Sequence, residues 1–460
     1  CDEVAEMWNS DLSKRPLVSG FLKDKALGAK RFMSMPDRFT NTVNVANSEV
    51  AACRPSVINN YVGDLSTFEA WWAEWKRFMF EAPLVVSTKA KGGEASQVPY
   101  QMLGPIPRNK YPALSEEEER VSLPLQTVCL ALFDASLLHL MNTLSPSGEW
   151  LAIKRRLCDA LFVNKQARTL EILSSPRYRQ ADVVFLQEVA ASFVPKLQAA
   201  LEETHQVLAP LKLDAKRDQN SVIALRKASF PPPSEAGGAA GGGAGGGAQP
   251  AAGWTEVTDV VRAAVAGGAG VMDGDLVAAL ARDRSGQEFL LASFHGDTNG
   301  IQSIPVLEGF MAASKASFPT ATVLFGLDAN VYELEGKGVR HVSDWVEAFT
   351  KLGLTSNWGA AAGRDLLATR TTFNARTYVQ PQLQKAVKKA EFFKGDVNPK
   401  DYVLFSPSAL QVKVGGLTER DNTGDGGGGG ELSPPYADTP IPSLVWPSDH
   451  SAVLFTASKI

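Results

Sequence analysis

Short apolar segments recur along the chain from about residue 119, and polar or amphipathic stretches separate them. The segments are rich in β-branched and aromatic residues: ADVVFLQEV (181–189), SVIALRK (221–227), EFLLASF (288–294), ATVLFGL (321–327), KDYVLFS (400–406) and SAVLFTAS (451–458). A strand that is apolar on both faces is typical of a sheet covered by other layers. The pattern therefore predicts buried strands.

Two neighbouring segments complete the pattern. TVCLALF (127–133) predicts one more buried strand, and EWLAIKRRLCDALFVNKQARTLEIL (149–173) has apolar residues four positions apart, which predicts an amphipathic helix. Strands that alternate with helices indicate the α/β class.

The first 118 residues are mixed in composition and contain one clear helix, STFEAWWAEWKRFMFEAP (66–83). Ser66 and Glu69 fit a capping box, and Pro83 ends the helix. Apolar side chains at helical spacing form one stripe: Phe68, Trp72, Trp75 and Met79. We expect this stripe to pack on the chain's own main body, which begins at about residue 119. The alternative is a surface that binds a protein partner.

The change in pattern predicts two regions: a mostly helical or irregular extension over 1–118 and a main α/β domain over 119–460. Two low-complexity stretches, at 231–253 and 421–435, are too poor in apolar residues to offset the entropy of ordering them. Strand-like segments lie on both sides of each stretch. Both are therefore predicted to be flexible insertions in surface loops.

Composition limits the choice of partners. The formal net charge is −4, so no overall basic field attracts nucleic acid, and a polyanion needs a local basic patch or a metal ion. The four cysteines lack CxxC spacing, which favours reduced thiols and an intracellular compartment over a disulfide framework or a zinc site. No apolar run reaches the roughly 18 residues that a bilayer requires, so we expect no membrane span.

Polar side chains stand at the ends of the predicted strands. They are Glu188, His295, Asp328 with Asn330, Asp401, and Asp449 with His450. Active sites of layered α/β proteins form at strand ends, where a rigid sheet fixes polar groups beside a cleft. Carboxylates, an amide and imidazoles are also the groups that metal-assisted phosphoester cleavage requires.

These strand-end motifs carry a resemblance. LQEV, the histidine after a strand, the Asp-x-Asn pair of GLDAN, the aspartate of KDYVLF and the closing PSDHS follow the order found in the endonuclease/exonuclease/phosphatase superfamily, which has the DNase I-like fold. The similarity covers about 119–460, and the PSDHS ending resembles the deadenylase-like branch. The resemblance implies a four-layer α/β sandwich, in which two packed mixed β-sheets are flanked by helices.

The resemblance also implies a metal ion, Mg²⁺ with Mn²⁺ as a substitute. Glu188 would be its principal ligand, and Asp449 would support the metal or its waters. Asp328 would orient or deprotonate the attacking water.

The remaining motif residues would contact the substrate phosphate. Asn330 would donate a hydrogen bond to it, and His450 would face it while Asp401 holds the ring in its protonated form. His295 would be a second phosphate donor.

The chain departs from the superfamily pattern at the end of the first predicted strand. An asparagine is usual there, whereas LALFDAS offers Asp134, which would be a further metal ligand. A second Asp-x-Asn pair, Asp297 and Asn299, occurs in HGDTNG. We favour Asp328 and Asn330 as the functional pair for two reasons. If the pair were Asp297 and Asn299, GLDAN would have no role, and the motif histidine that follows an earlier strand would be missing.

A basic stretch follows the strand-like TTF, from Asn374 to Lys400. It is either a solvated helix face or a rim that grips substrate phosphates, with Asn374 and Arg376 closest to the site.

Three functions follow from these observations. The leading hypothesis is a Mg²⁺-dependent phosphodiesterase that acts on nucleic acid as a nuclease. The alternatives are a phosphatase of inositol phosphates or other small phosphoesters, and a catalytically silent scaffold.

Overall fold

The computed structural model describes residues 29–30, 40–46, 48, 51–87, 93–214, 219–232, 253–265, 270–373, 396–412, 419–424 and 441–460. These residues form two compact units. Unit 1 ends at Asn164, and unit 2 begins at Lys165.

Unit 1 is mainly helical. Its helices are α1 (Phe68–Lys76), α2 (Glu116–Arg120), α3 (Ser122–Leu144) and α4 (Glu149–Cys158), with π-helical turns at Arg77–Glu81 and Asp159–Val163. Two small antiparallel pairs accompany them, β1 (Thr42–Val43) with β2 (Ala52–Cys53) and β3 (Leu84–Ser87) with β4 (Glu94–Gln97). The three described cysteines, Cys53, Cys129 and Cys158, are free thiols.

The centre of unit 1 is α3, which corrects two predictions. TVCLALF lies inside this helix, so the predicted strand at 127–133 is wrong. A short apolar run has no helical periodicity when every face of the helix is covered, and here thirteen α3 residues are buried. Because α3 shares one core with the α1 tryptophans, the domain boundary lies at 164, not at 118.

The length and apolar composition of α3 also raise the question of a membrane span. Among the described residues, α3 alone is long and apolar enough to cross a bilayer, and 67% of its most apolar window is buried inside the protein. That burial is typical of a core helix.

Helix α1 begins later than predicted. Thr67, not Ser66, is the N-cap, because its hydroxyl accepts a hydrogen bond from the Ala70 N–H at 3.2 Å. The buried face consists of Trp71 and Trp75, and Trp72 stacks on Trp75 at 5.4 Å. The tryptophans thus pack in the core of unit 1 together with α3, whereas the first interpretation of the stripe expects them on the main α/β domain.

Asp134 is part of this core. Arg54 donates to its carboxylate at 2.7 Å through Nε and at 3.3 Å through Nη2, and the Trp75 indole donates to it at 2.9 Å. The side chains of Arg54 and Asp134 are fully buried. Both carboxylate oxygens are therefore occupied, and the expectation that Asp134 binds a metal is wrong.

Unit 2 contains a mixed six-stranded sheet in the order β12-β13-β11-β10-β9-β8. Its strands are β8 (Trp254–Glu256), β9 (Leu276–Arg282), β10 (Glu288–His295), β11 (Thr322–Asp328), β12 (Thr355–Ser356) and β13 (Asp401–Phe405). Strands β10 and β11 are parallel, and every other neighbouring pair is antiparallel.

A second sheet of three described strands, in the order β5-β7-β6, faces the first. Its strands, β5 (Val183–Val189), β6 (His205–Leu208) and β7 (Asn220–Arg226), are all antiparallel, whereas the sequence predicts two mixed sheets. Alternate residues serve opposite faces: Ile223 and Leu225 meet the six-stranded sheet, while Val222 and Ala224 meet helices. Burial on both faces explains why the strand sequences are continuously apolar.

Helices cover both outer faces and complete four layers. One side has α5 (Lys165–Leu173) and α7 (Phe193–Leu201), and the other has α8 (Thr258–Ala264), α9 (Ser303–Ser317) and α10 (Val342–Lys351). Short helices α6 (Pro176–Arg179) and α11 (Leu366–Thr369) lie in connections. The predicted four-layer α/β sandwich and all six strand segments of 181–458 are confirmed.

Four short strands follow β13 or end the chain. They are β14 (Leu410–Val412), β15 (Glu419–Asp421), β16 (Ala452–Leu454) and β17 (Ala457–Lys459), paired as β14 with β17 and β15 with β16. Asp421 ends β15 and is buried, so the predicted insertion does not begin there. Its remaining part, 425–435, and residues 233–252 of the first insertion lie outside the described residues.

The two sheets approach each other closely at Gly326 of β11. A Cβ atom at this position would lie 2.2 Å from Cγ of Phe185 on β5. We expect Gly326→Ala to lower the free energy of unfolding by about 1–3 kcal/mol, because the ring would have to move within a packed core. Chemical denaturation measures this loss.

Gly270→Ala is the matched control, since Gly270 is exposed and its nearest neighbour is the flexible tip of Gln302 at 3.3 Å. Equal stability of the two variants would contradict the close approach of the sheets.

Candidate active site

Strand register brings three of the predicted residues together. His295 at the end of β10 is the register partner of Asp328 at the end of β11. Asp328 is also the partner of Asp401, the first residue of β13. An isolated bridge between Thr372 and His450 places the C-terminal motif beside them. Residues more than 150 positions apart thus meet at one edge of the six-stranded sheet.

His450 and Asp401 form a hydrogen-bonded pair. The distance from Nδ1 of His450 to Oδ2 of Asp401 is 2.8 Å, and the other ring nitrogen lies 3.8 Å from Oδ2 of Asp328. Burial alone lowers the pKa of His450, but the Asp401 and Asp328 carboxylates outweigh it and raise the pKa well above 6.5. The ring is therefore positively charged at neutral pH.

Asp328 lies at the centre of the site. Burial raises the pKa of Asp328 to about 6, although the neighbouring His450 ring acts in the opposite direction. Its Oδ1 accepts the Asn330 backbone N–H at 2.8 Å, and its Oδ2 faces both histidines. A carboxylate that titrates near neutrality is suited to general-base catalysis.

His295 links the buried centre to Glu188. Its Nε2 lies 3.4 Å from Oε1 of Glu188 and 3.6 Å from Oδ2 of Asp328. The Asn330 side-chain amide lies 3.3 Å from the same ring nitrogen. Glu188, His295, Asp328 and Asn330 therefore belong to one site with Asp401 and His450.

Glu188 adopts an uncommon backbone conformation. Its φ is +55°, and the β5–β7 register shifts between Leu186 and Val189. The shift is a local irregularity at the strand end that re-aims a side chain. As a result, the Glu188 side chain is 55% exposed, and Gln219 donates to its Oε1 at 3.2 Å. The strand that is buried elsewhere thus presents a carboxylate to solvent.

A cavity of about 1470 Å³ opens at this end of unit 2. Four carboxylates and one imidazole of the site line it: Glu188, Asp328, Asp401, Asp449 and His450. The cavity continues between the sheets beside apolar residues of β5 and β16. The charged groups of the site are therefore accessible from the cavity.

The donor set fits a hard divalent cation at Glu188. Such cations take oxygen ligands, and Mg²⁺ usually requires only one or two carboxylates together with water and substrate. Single ligand atoms of Asp328, Asp401 and His450 also lie within 4.8 Å of one another. This triad suits a metal less well, because a protonated imidazole paired with Asp401 has no lone pair to donate.

The remaining predicted residues have different positions. Asp449 is exposed at the cavity and does not belong to the compact triad. Asn374 and Arg376 lie outside the described residues, as does the basic segment up to Gly395. Asp297 caps its own loop by accepting backbone N–H groups from Asn299, Ile301 and Gln302.

Sequence reasoning missed several supporting residues. The Trp446 indole donates to the His450 carbonyl at 2.7 Å, and the buried Lys400 ammonium pairs with Asp396 at 2.6 Å. Lys400 also helps to keep the Asp328 pKa from rising further. Both residues adjoin a predicted motif in the sequence, and this proximity could have identified them as supporting residues. Gln219 precedes β7 with no such signal.

The four layers and the ordered strand-end residues define the class of unit 2. It is a four-layer α/β sandwich, as the sequence predicts.

Comparisons with known proteins add the following. Residues 1–155 match a family described as "Domain of unknown function (DUF8234)", and the match falls within unit 1. No curated protein matches the chain.

Several solved structures are similar to this chain. A truncated TDP2 from Caenorhabditis elegans is 15% identical, with 64% of this chain and 91% of that chain covered and a TM-score of 0.36. The human Nocturnin catalytic domain with bound sulfate is 13% identical (66% and 89% covered, TM-score 0.37). An endonuclease/exonuclease/phosphatase from Bacteroides vulgatus is 14% identical (65% and 92% covered, TM-score 0.38).

Replacing Asp401 with asparagine should lower the pKa of His450. The substitution keeps the size of the side chain but removes the charge 2.8 Å from Nδ1, and this charge stabilises the imidazolium. The chemical shifts of the His450 ring, followed by NMR as a function of pH, measure the change.

Asp449→Asn is the control, because Asp449 is exposed and raises the His450 pKa less than Asp401 does. An equal effect of both substitutions would show that the pair with Asp401 does not set the charge of His450.

Proposed function

We propose that unit 2 hydrolyses phosphoester bonds with the help of a divalent cation, Mg²⁺ in the first instance, and that its substrate is nucleic acid. The observation that carries the proposal is the convergence of Glu188, His295, Asp328, Asn330, Asp401 and His450 on one site. A silent scaffold is less well supported, because such a protein has no need for these groups to converge.

The roles follow from charge and exposure. Glu188 holds the cation, which neutralises charge on a phosphate. Asp328 accepts a proton from the attacking water, since its pKa of about 6 leaves it mostly ionised at neutral pH. His450 is protonated and donates to a phosphoryl oxygen. The His295 ring and the Asn330 amide supply further polar contacts beside Asp328.

Nucleic acid is the substrate class that we favour. The support is the closing PSDHS motif, which resembles the deadenylase-like branch. The net charge of −4 fits this proposal only if the cation contacts the phosphate, because the described site is lined mostly by carboxylates.

The purified chain should cleave labelled RNA or DNA in the presence of Mg²⁺, and EDTA should abolish the cleavage. Glu188→Gln should reduce kcat/KM by at least about 100-fold, because the amide is neutral and a weak ligand for Mg²⁺. A panel of RNA, DNA and inositol phosphates measures both activity and substrate class.

Glu203→Gln is the matched control, since Glu203 is an exposed acid of unit 2 outside the site. Turnover of inositol phosphates alone would redirect the proposal to a phosphatase. No turnover of any substrate would contradict hydrolysis and support the scaffold.

The pH dependence of kcat/KM should be bell-shaped. The rate should rise as the pH increases through about 6, because Asp328 must lose its proton. It should fall at a pH well above 6.5, because His450 must keep its proton. Asp401→Asn should move the alkaline limb to lower pH, because the charge that stabilises the His450 imidazolium is lost. The acid limb should also move to lower pH, because Asp401 raises the Asp328 pKa. A flat profile would contradict both roles.

A further inference from the structure

Asn330 lies in a conformation that its surroundings must maintain. Its φ is +50°, and among the described residues only Asn330 and Glu188 are non-glycine residues with a positive φ. Such a conformation costs on the order of 1–3 kcal/mol and persists only where neighbouring contacts fix it. The groups that hold the Asn330 turn therefore determine where its amide points.

Three hydrogen bonds hold the turn directly. The Asp328 carboxylate accepts the Asn330 N–H at 2.8 Å, and the Lys400 carbonyl accepts the Ala329 N–H at 2.8 Å. From the other side, the buried Ser303 hydroxyl donates to the Ala329 carbonyl at 2.8 Å. Ser303 is the first residue of α9 and follows the HGDTNG loop, 295–300.

Gly300, the last residue of that loop, packs directly against the backbone of the turn. A Cβ atom on Gly300 would lie 2.5 Å from the Asn330 carbonyl oxygen and 2.7 Å from that of Ala329. Both neighbours are backbone atoms, which cannot yield as a flexible side chain would. Gly300 also has a φ of +69°, which favours glycine.

Asp297 gives the loop the shape that this approach requires. Its carboxylate accepts the N–H groups of Asn299 and Ile301 at 3.2 Å each and that of Gln302 at 2.8 Å, and its carbonyl accepts the Gly300 N–H at 3.0 Å. Four backbone donors therefore depend on one residue, and Gly300 lies among them.

Two further contacts fix the loop against the segment after Asn330. The Tyr332 hydroxyl donates to the Thr298 carbonyl at 2.6 Å, and the Arg340 N–H donates to the Asn299 carbonyl at 2.8 Å. The loop is thus fixed to the segment that follows the turn as well as to the turn itself.

We propose that Asp297 and Gly300 are positioning residues that hold the Asn330 amide in its place beside His295. The second Asp-x-Asn motif is then a support for the first. This inference rests on the proposed function only for its effect on rate, whereas the effect on the position of Asn330 is independent of it.

Gly300→Ala tests the proposal, with Gly286→Ala as the matched control. Gly286 has a comparable φ of +87° and no neighbour within 4 Å, so alanine there incurs the backbone penalty without the clash. We expect Gly300→Ala to lower kcat roughly 10- to 100-fold with little change in KM, because the reacting groups would be displaced while binding remains. Gly286→Ala should retain wild-type kcat.

The side-chain amide resonance of Asn330, observed in ¹⁵N-asparagine-labelled protein, is the readout that needs no substrate. It should shift in Gly300→Ala and in Asp297→Ala but not in Gly286→Ala. Ser303→Ala, which removes only the hydroxyl, serves if either loop variant fails to fold, and it should shift the same resonance.

The outcomes separate the two proposals. If the wild-type chain hydrolyses nothing, the proposed function fails, and the amide resonance still decides the positioning role. If the resonance stays at its wild-type position in Ser303→Ala and in the loop variants that fold, the positioning role is overturned even where the enzyme is active.

Discussion

The register of three neighbouring strands is the constraint on which the site depends. His295, Asp328 and Asp401 stand side by side because β10, β11 and β13 pair without a slip up to that edge. A shift of one residue in any of these strands would turn its polar end toward the opposite face of the sheet. The apolar residues behind each polar end, such as Phe294, Leu327 and Tyr402, prevent that shift because they fill the core beneath the helices. The same core that stabilises unit 2 therefore aligns the polar side chains of the candidate site.

Alignment at a buried edge has an electrostatic cost. Asp328 is nearly inaccessible to solvent and lies next to Asp401, so burial and a like charge both oppose its ionisation. His450, His295 and Lys400 offset part of this cost, and the cavity leaves one side of the cluster open to water or a cation. The burial of these ionisable groups therefore lowers the stability of the fold, but it brings the pKa of Asp328 close to neutral pH. Such perturbed pKa values are common at functional sites.

Much of unit 2 follows from the sequence, because continuous apolar runs and polar strand ends are local signals. The failures have physical causes of their own. Strand β9 was not predicted, since LVAALAR contains three alanines, and alanine favours helices. Helix α3 has no polar face, so its sequence resembles that of a buried strand. The same error led to the domain boundary at 118 and to the prediction that Asp134 is a metal ligand. The ion pair of Asp134 with Arg54 joins residues 80 positions apart, a distance at which no local pattern reports contact.

The two left-handed residues, Glu188 and Asn330, have a consequence for engineering. Glycine tolerates this region of backbone space at no steric cost, so substitution to glycine at either position would relax the main chain. Directed evolution that selected only for heat resistance would tend to replace these two residues. It would yield more stable proteins that lack two side chains of the candidate site. The positive φ angles of Glu188 and Asn330 thus mark the two positions at which selection for stability and selection for activity would favour different residues.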